Sequence, residues 1–112
     1  MQYCRIGEYL AIARMTGSQD NLLQIRLAED LSEKIDVVVL PGIRPGNPTS
    51  LDAEKVLSAV RIGLAKANAE LGTSYFISEV KIVADDAKPE SVYSFLTEAL
   101  IRHFDSGHFD GA

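Results

Sequence analysis

The chain has 112 residues, of which 46% are hydrophobic and 24% charged, and 16 acidic against 11 basic side chains give a formal net charge of −5. Such a length makes one domain, residues 1–112, with a core that needs neither disulfide nor metal. The acidic balance argues against nucleic-acid binding, which needs a basic face; Arg26, Arg44, Arg61, Lys66 and Arg102 are scattered and mostly flanked by acids.

No run approaches the ~18 apolar residues of a membrane span. Met1 to Arg5 lack the basic-then-apolar layout of a signal peptide, so a cytoplasmic protein is expected. Residues 1–7 and 105–112 are expected to be flexible ends. Cys4 is the only cysteine, which rules out an internal disulfide; the expected role is that of a small, partly buried hydrophobe.

From Glu8 to Thr16, the run Tyr9, Leu10, Ala11, Ile12, Ala13 reads as a strand apolar on both faces. Gly17 to Asp20 are turn residues. In Leu22 to Glu29, Leu23, Ile25 and Leu27 alternate with Gln24, Arg26 and Ala28, which predicts the second arm of a hairpin. Ile35 to Leu40 is β-branched and reads as a third strand, which Pro41 ends.

Pro41 to Ser50 holds three prolines and two glycines, too many breakers for regular structure. Thr49 or Ser50 then caps a helix with Asp52 and Glu54 in its first turn. Ala53, Val56, Leu57, Val60, Leu64, Ala67 and Leu71 fall on one face of that helix, and Gly72 stands where a left-handed residue stops it. In the strand Phe76 to Ala84, strict alternation puts Phe76, Val80, Ile82 and Ala84 on one side and Ile77, Glu79, Lys81 and Val83 on the other. Pro89 suits the first turn of a second helix, with Val92, Phe95, Leu96, Ala99, Leu100 and Phe104 as its apolar stripe.

The best candidate for chemistry is the loop Pro41 to Ser50. It leads from a strand to a helix N-terminus, where free N–H groups and the helix dipole favour an anion. Arg44, Asn47, Thr49 and Ser50 add donors for a phosphate or carboxylate. The loop is neither a P-loop nor a GxGxxG turn, and its prolines remove N–H groups from any cradle.

Asp85-Asp86, with Glu79 and Glu90, reads as helix lead-in and solvation rather than an acid/base pair. His103, Asp105 and His108 match no strong zinc spacing. No metal, cofactor or catalytic set is expected.

Ala59-Val60-Arg61-Ile62-Gly63-Leu64-Ala65-Lys66-Ala67 and Glu79-Val80-Lys81-Ile82-Val83 are similar to the helix and following strand of elongation factor G domain IV. The second domain of a small-subunit ribosomal protein shares that β-β-β-α-β-α order. The resemblance covers about the last two-thirds of the chain. It implies a mixed sheet with a left-handed crossover, although ~98% of such connections are right-handed. The chain departs from it in lacking a GTPase domain and a basic RNA-facing tip, so the resemblance implies a fold and no activity.

The expected fold is therefore an α+β, two-layer α/β sandwich: a four-stranded mixed sheet, order β-β-β-α-β-α, with two helices on one face. Two layers leave the other sheet face open, with Leu22, Val38, Ile77 and Val83 among Gln24, Arg26, Glu79 and Lys81. The expected function is a non-catalytic protein-interaction or oligomerisation module, using that face or an edge strand to contact itself, as a dimer, or another protein. The alternative is a small enzyme or ligand-binding protein that takes an anionic small molecule at Arg44, Asn47, Thr49 and Ser50.

Overall fold

The computed structural model describes residues 2–15, 20–28, 34–41, 51–84, 86 and 89–107. Its elements are β1 (Gln2–Ile6), β2 (Tyr9–Met15), β3 (Asp20–Ala28), β4 (Asp36–Leu40), α1 (Ala53–Leu71), β5 (Phe76–Val83) and α2 (Val92–Asp105). The class is the expected α+β, but the sheet has five strands rather than four, in the order β1-β2-β3-β5-β4. All neighbours are antiparallel except β4 and β5, which are parallel and joined through α1.

The added strand is β1, in a segment expected to be flexible. Its side chains are mostly exposed, so no apolar alternation marks it. What makes it a strand is the two-residue turn Gly7-Glu8, with Gly7 at φ 60°. Glycine at the first loop position with positive φ matches the twist of the arms it joins, and Ile6 pairs with Tyr9 through to Gln2 with Ala13. Cys4 is consequently exposed on an edge strand rather than partly buried.

Both helices cover the same sheet face. Leu10, Ile12, Leu23, Ile25, Val80 and Ile82 form one buried cluster with Val56, Val60 and Ala67 of α1 and Tyr93, Leu96 and Leu100 of α2. Paired residues in a ladder share a face, so the register carries this inner face across from Ile12 to Leu23 to Ile82 to Val39.

Ile77 departs from the alternation expected of β5. The β3–β5 register shifts between Arg26 and Leu27, so that Glu79 opposes Arg26 while Ile77 opposes Leu27. The extra residue, Ser78, is a bulge that turns Ile77 inward, where it is 1% exposed, instead of outward. The Ser78 hydroxyl holds the bulge: it donates to the Arg26 carbonyl at 3.1 Å and accepts from Arg26 Nε at 3.1 Å.

Asp52 caps α1, two or three residues later than the expected Ser50 or Thr49. Its side chain accepts from the N–H groups of Glu54 and Lys55, the second and third residues of the helix's first turn counted from the cap. Gly72 ends the helix at φ 68°, ψ 33°, as expected. Asn68 braces that turn: its backbone carbonyl accepts from Gly72 and Thr73, and its side chain bonds the Thr73 hydroxyl and both backbone groups of Tyr75. Pro89 precedes α2 rather than opening it. Pro89, Glu90 and Ser91 accept from the residues three further on, a tightened turn that leads into Val92.

The two helices touch at Gly63. A Cβ there would lie 2.2 Å from the Ser94 carbonyl oxygen and 3.0 Å from Thr97 Cβ, so only glycine lets the backbones approach this closely. Arg102 bridges Glu98 on its own helix and Glu70 on α1, an exposed network of small energetic weight. Gly63→Ala is expected to force the helices apart and destabilise the protein by about 1–3 kcal/mol, the usual cost of overpacking. Urea unfolding monitored by circular dichroism measures this, and an unchanged midpoint would show that the crossing yields.

Candidate functional site

Arg44, Asn47, Thr49 and Ser50 lie outside the described residues. The two ends of their loop are described, and both are tied to one residue at the end of β5. Ala84 donates its N–H to the Leu40 carbonyl at 3.0 Å, and its carbonyl accepts from Leu51 N–H at 2.9 Å.

Beyond Leu51, the N-terminus of α1 already has anionic acceptors. Glu90 Oε2 accepts from Asp52 N–H at 2.8 Å, and the Asp52 carboxylate accepts from Glu54 and Lys55. These internal carboxylates occupy donors that would attract an external anion. An open cleft of roughly 590 Å³ runs beside them, lined by Lys55, Ser58, Ile62 and Pro89 among others.

A buried polar cluster sits next to this end of the sheet. Arg14 donates to Asn21 Oδ1 at 2.8 Å, and Asn21 Nδ2 donates to the Tyr93 hydroxyl at 3.2 Å. Asp86 Oδ2 accepts from Leu22 N–H at 2.7 Å, pinning the β5–α2 connection to β3. Burial pushes the Tyr93 phenol well above its ordinary 10.0, partly offset by the bond from Asn21. Tyr75 is also raised, first by its bond to the Asp105 carboxylate and then by burial.

The remaining chemical candidates, where described, make contacts within the fold. Asp86 and Glu90 are backbone acceptors, and Glu79 lies on the opposite sheet face; Asp85 is outside the described residues. His103 stacks flat on Tyr3 with centroids 3.8 Å apart, Asp105 accepts from Tyr75 at 2.7 Å, and His108 is outside the described residues. No group of three or more His, Cys, Asp or Glu side chains suits a metal among the described residues.

On the outer sheet face the charged residues are knit together. Tyr9 on β2 donates to Glu79 Oε2 on β5 at 2.5 Å, and Lys81 Nζ lies 4.1 Å from the centre of the Tyr9 ring. Arg26 stands 3.8 Å from both Glu79 and Glu8. With Ile77 in the core, the apolar share of this face is smaller than expected.

Of the exposed large hydrophobics among the described residues, Ile6, Val38, Val39, Ile62 and Phe95, two are neighbours on one strand, β4. β4 is the last strand of the sheet, and Val38 and Val39 are 37% and 45% exposed. Leu40 points its carbonyl at β5. Backbone groups alternate sides along a strand, so Asp36, Val38 and Leu40 bond β5, while Val37 and Val39 direct N–H and C=O to the edge that no strand pairs among the described residues. Sequence reasoning counted Val38 and missed Val39, because Val39 is on the helix-side face yet at its uncovered rim. The signal was present in the unbroken run Val37-Val38-Val39, but strand order was needed to read it.

No protein-family model matches the chain, and no curated protein or solved structure matches it either. No helix among the described residues is long and apolar enough to cross a membrane.

The raised Tyr93 and Tyr75 phenols give a pH prediction. Both stay protonated in the native state where the unfolded chain would ionise, so their contribution is complete below about pH 10 and is lost as pH rises above it. Denaturation midpoints should fall steadily from pH 10 upward, and Tyr93→Phe should flatten that fall. An identical slope in the variant would refute the assignment.

Proposed function

We propose that this chain is a non-catalytic protein-interaction module that receives an extended strand of its partner on the free edge of β4. One observation carries the reading: a five-residue edge strand whose outward backbone groups, at Val37 and Val39, are flanked by exposed valine side chains. Unpaired edges of this kind template further strand pairing, and proteins that avoid it interrupt the edge with lysine, proline or a bulge. Here the charges, Lys34 and Asp36, sit at the start and bond one another at 3.7 Å, and Pro41 follows the end. Nothing interrupts Val37 to Leu40. In strand addition the main-chain bonds supply affinity and the alternating side chains supply selectivity.

The exposed thiol of Cys4 fits a reducing cytoplasm, where it stays unpaired. An anionic ligand at the Arg44 to Ser50 loop would bind beside the Asp52 and Glu90 carboxylates, which makes the enzyme reading the weaker one.

Backbone polarity provides the test. Val39→Pro removes only an edge-facing N–H, a position where edge strands tolerate proline. Val38→Pro removes an N–H from the β5 ladder and leaves its acceptor unpaired, at about 1–3 kcal/mol. Extended peptides selected from a random library against the wild-type protein should lose binding to Val39→Pro while that variant stays folded. Retained binding would overturn the edge, and a thermal shift with phosphate or simple carboxylates would favour the ligand-binding alternative.

A further inference from the structure

Resting on that reading, we infer that the strand received at the β4 edge is β4 of a second copy, paired antiparallel about a twofold axis through Val38. The edge is self-complementary in its backbone. With Val38 facing Val38 of the second copy, Val37 opposes Val39 and Val39 opposes Val37, and these are the residues that turn N–H and C=O outward. Two such hydrogen-bonded pairs exchange four bonds, and the interface is isologous and closed, as a twofold requires.

Side chains agree with this register. Pairs directly opposite share a face, so Val37 and Val39 meet on the helix side, covering the exposed rim at Val39. Val38 meets its own copy on the outer side, where Asp36 opposes Leu40. The twofold is normal to the sheet, so both helix layers lie on the same side of a continuous ten-stranded sheet.

Charge selects the register. Centring on Val37 would place the two Asp36 carboxylates on diagonal positions of one face, roughly 7–8 Å apart. Centring on Val38 separates them by four residues along the strand, about 14 Å. Pro41, without an N–H, ends the ladder just beyond the last pair.

The experiment uses Cys4→Ser as background, so that no other thiol is present. Light scattering at high micromolar concentration should give twice the 12.2 kDa chain mass, and Val39→Pro should return it to the monomer. In the same background Val38→Cys should form a disulfide-linked dimer with oxidised glutathione, since opposed non-hydrogen-bonded residues lie about 4.5 Å apart at Cα, within disulfide reach. Asp36→Cys and Leu40→Cys should each fail to self-link, yet should link to one another when mixed.

A monomer at all concentrations that still binds selected peptides at the edge would overturn the second-copy assignment and leave the edge reading standing. Loss of both would overturn the two together. A dimer indifferent to Val39→Pro would place the contact elsewhere, and self-linking of Leu40→Cys as fast as Val38→Cys would overturn the register.

Discussion

The strand β5 joins the two halves of the sheet, because the hairpin strands β1 to β3 lie on one side of it and the parallel strand β4 on the other. It is paired on both sides, antiparallel to β3 and parallel to β4, and its Val80 and Ile82 are fully buried beneath the helices. A strand with neighbours on each edge and helices above it has no freedom of register, since a one-residue slip would turn its apolar set outward. The bulge at Ser78 shows how closely this is set. Without it Ile77 would face outward among the charges of Glu79 and Lys81, and the core would lose a large side chain at its end.

The end of β5 carries the same constraint into the connections. Ala84 bonds the last residue of β4 and the residue before the α1 cap, so one residue fixes where the long loop starts and where it returns. Asp86 then ties the chain to β3, and Glu90 ties α2 back to the start of α1. Four connections meet within seven residues of sequence. Asp86 and Glu90, read from the sequence as helix lead-in, are backbone acceptors that close this corner.

Much of the fold was legible because it follows local periodicity. The stripe through Val56, Val60 and Ala67, the stop at Gly72 and the alternation of Leu23, Ile25 and Leu27 each depend on neighbours within a few residues. The misses share another physical origin. β1 has little apolar content and exists through pairing with β2, although the Gly7-Glu8 turn was a usable sign. The bulge at Ser78 depends on a hydroxyl bonding Arg26, 52 positions away in sequence. The cap is Asp52 because its carboxylate is the one that meets the N–H groups of Glu54 and Lys55, which residue type alone does not decide. The four loop residues named for an anion lie outside the described residues, and the sequence contained no hint that Glu90 would reach the α1 N-terminus.

The position of β4 was the least legible feature and is the one on which the proposed function turns. A β-branched run such as Val37 to Val39 is the usual composition of a strand buried on both faces in a parallel sheet, and α1 does cross from it to a parallel neighbour. Yet it lies at the edge. The opposite edge makes a useful contrast, because β1 mixes Gln2, Cys4 and Arg5 into its exposed positions and is tied to β2 by a tight turn. Both edges face the same hazard of unwanted pairing; β1 carries Arg5 inside its strand, whereas the charge of β4, Asp36, stands at its first residue. An edge that keeps three consecutive valines and places its charge at the first position has a composition suited to being covered. Self-pairing covers it with the least new chemistry, since the same five residues, reversed about Val38, supply the outward donors, the outward acceptors and the apolar contacts together.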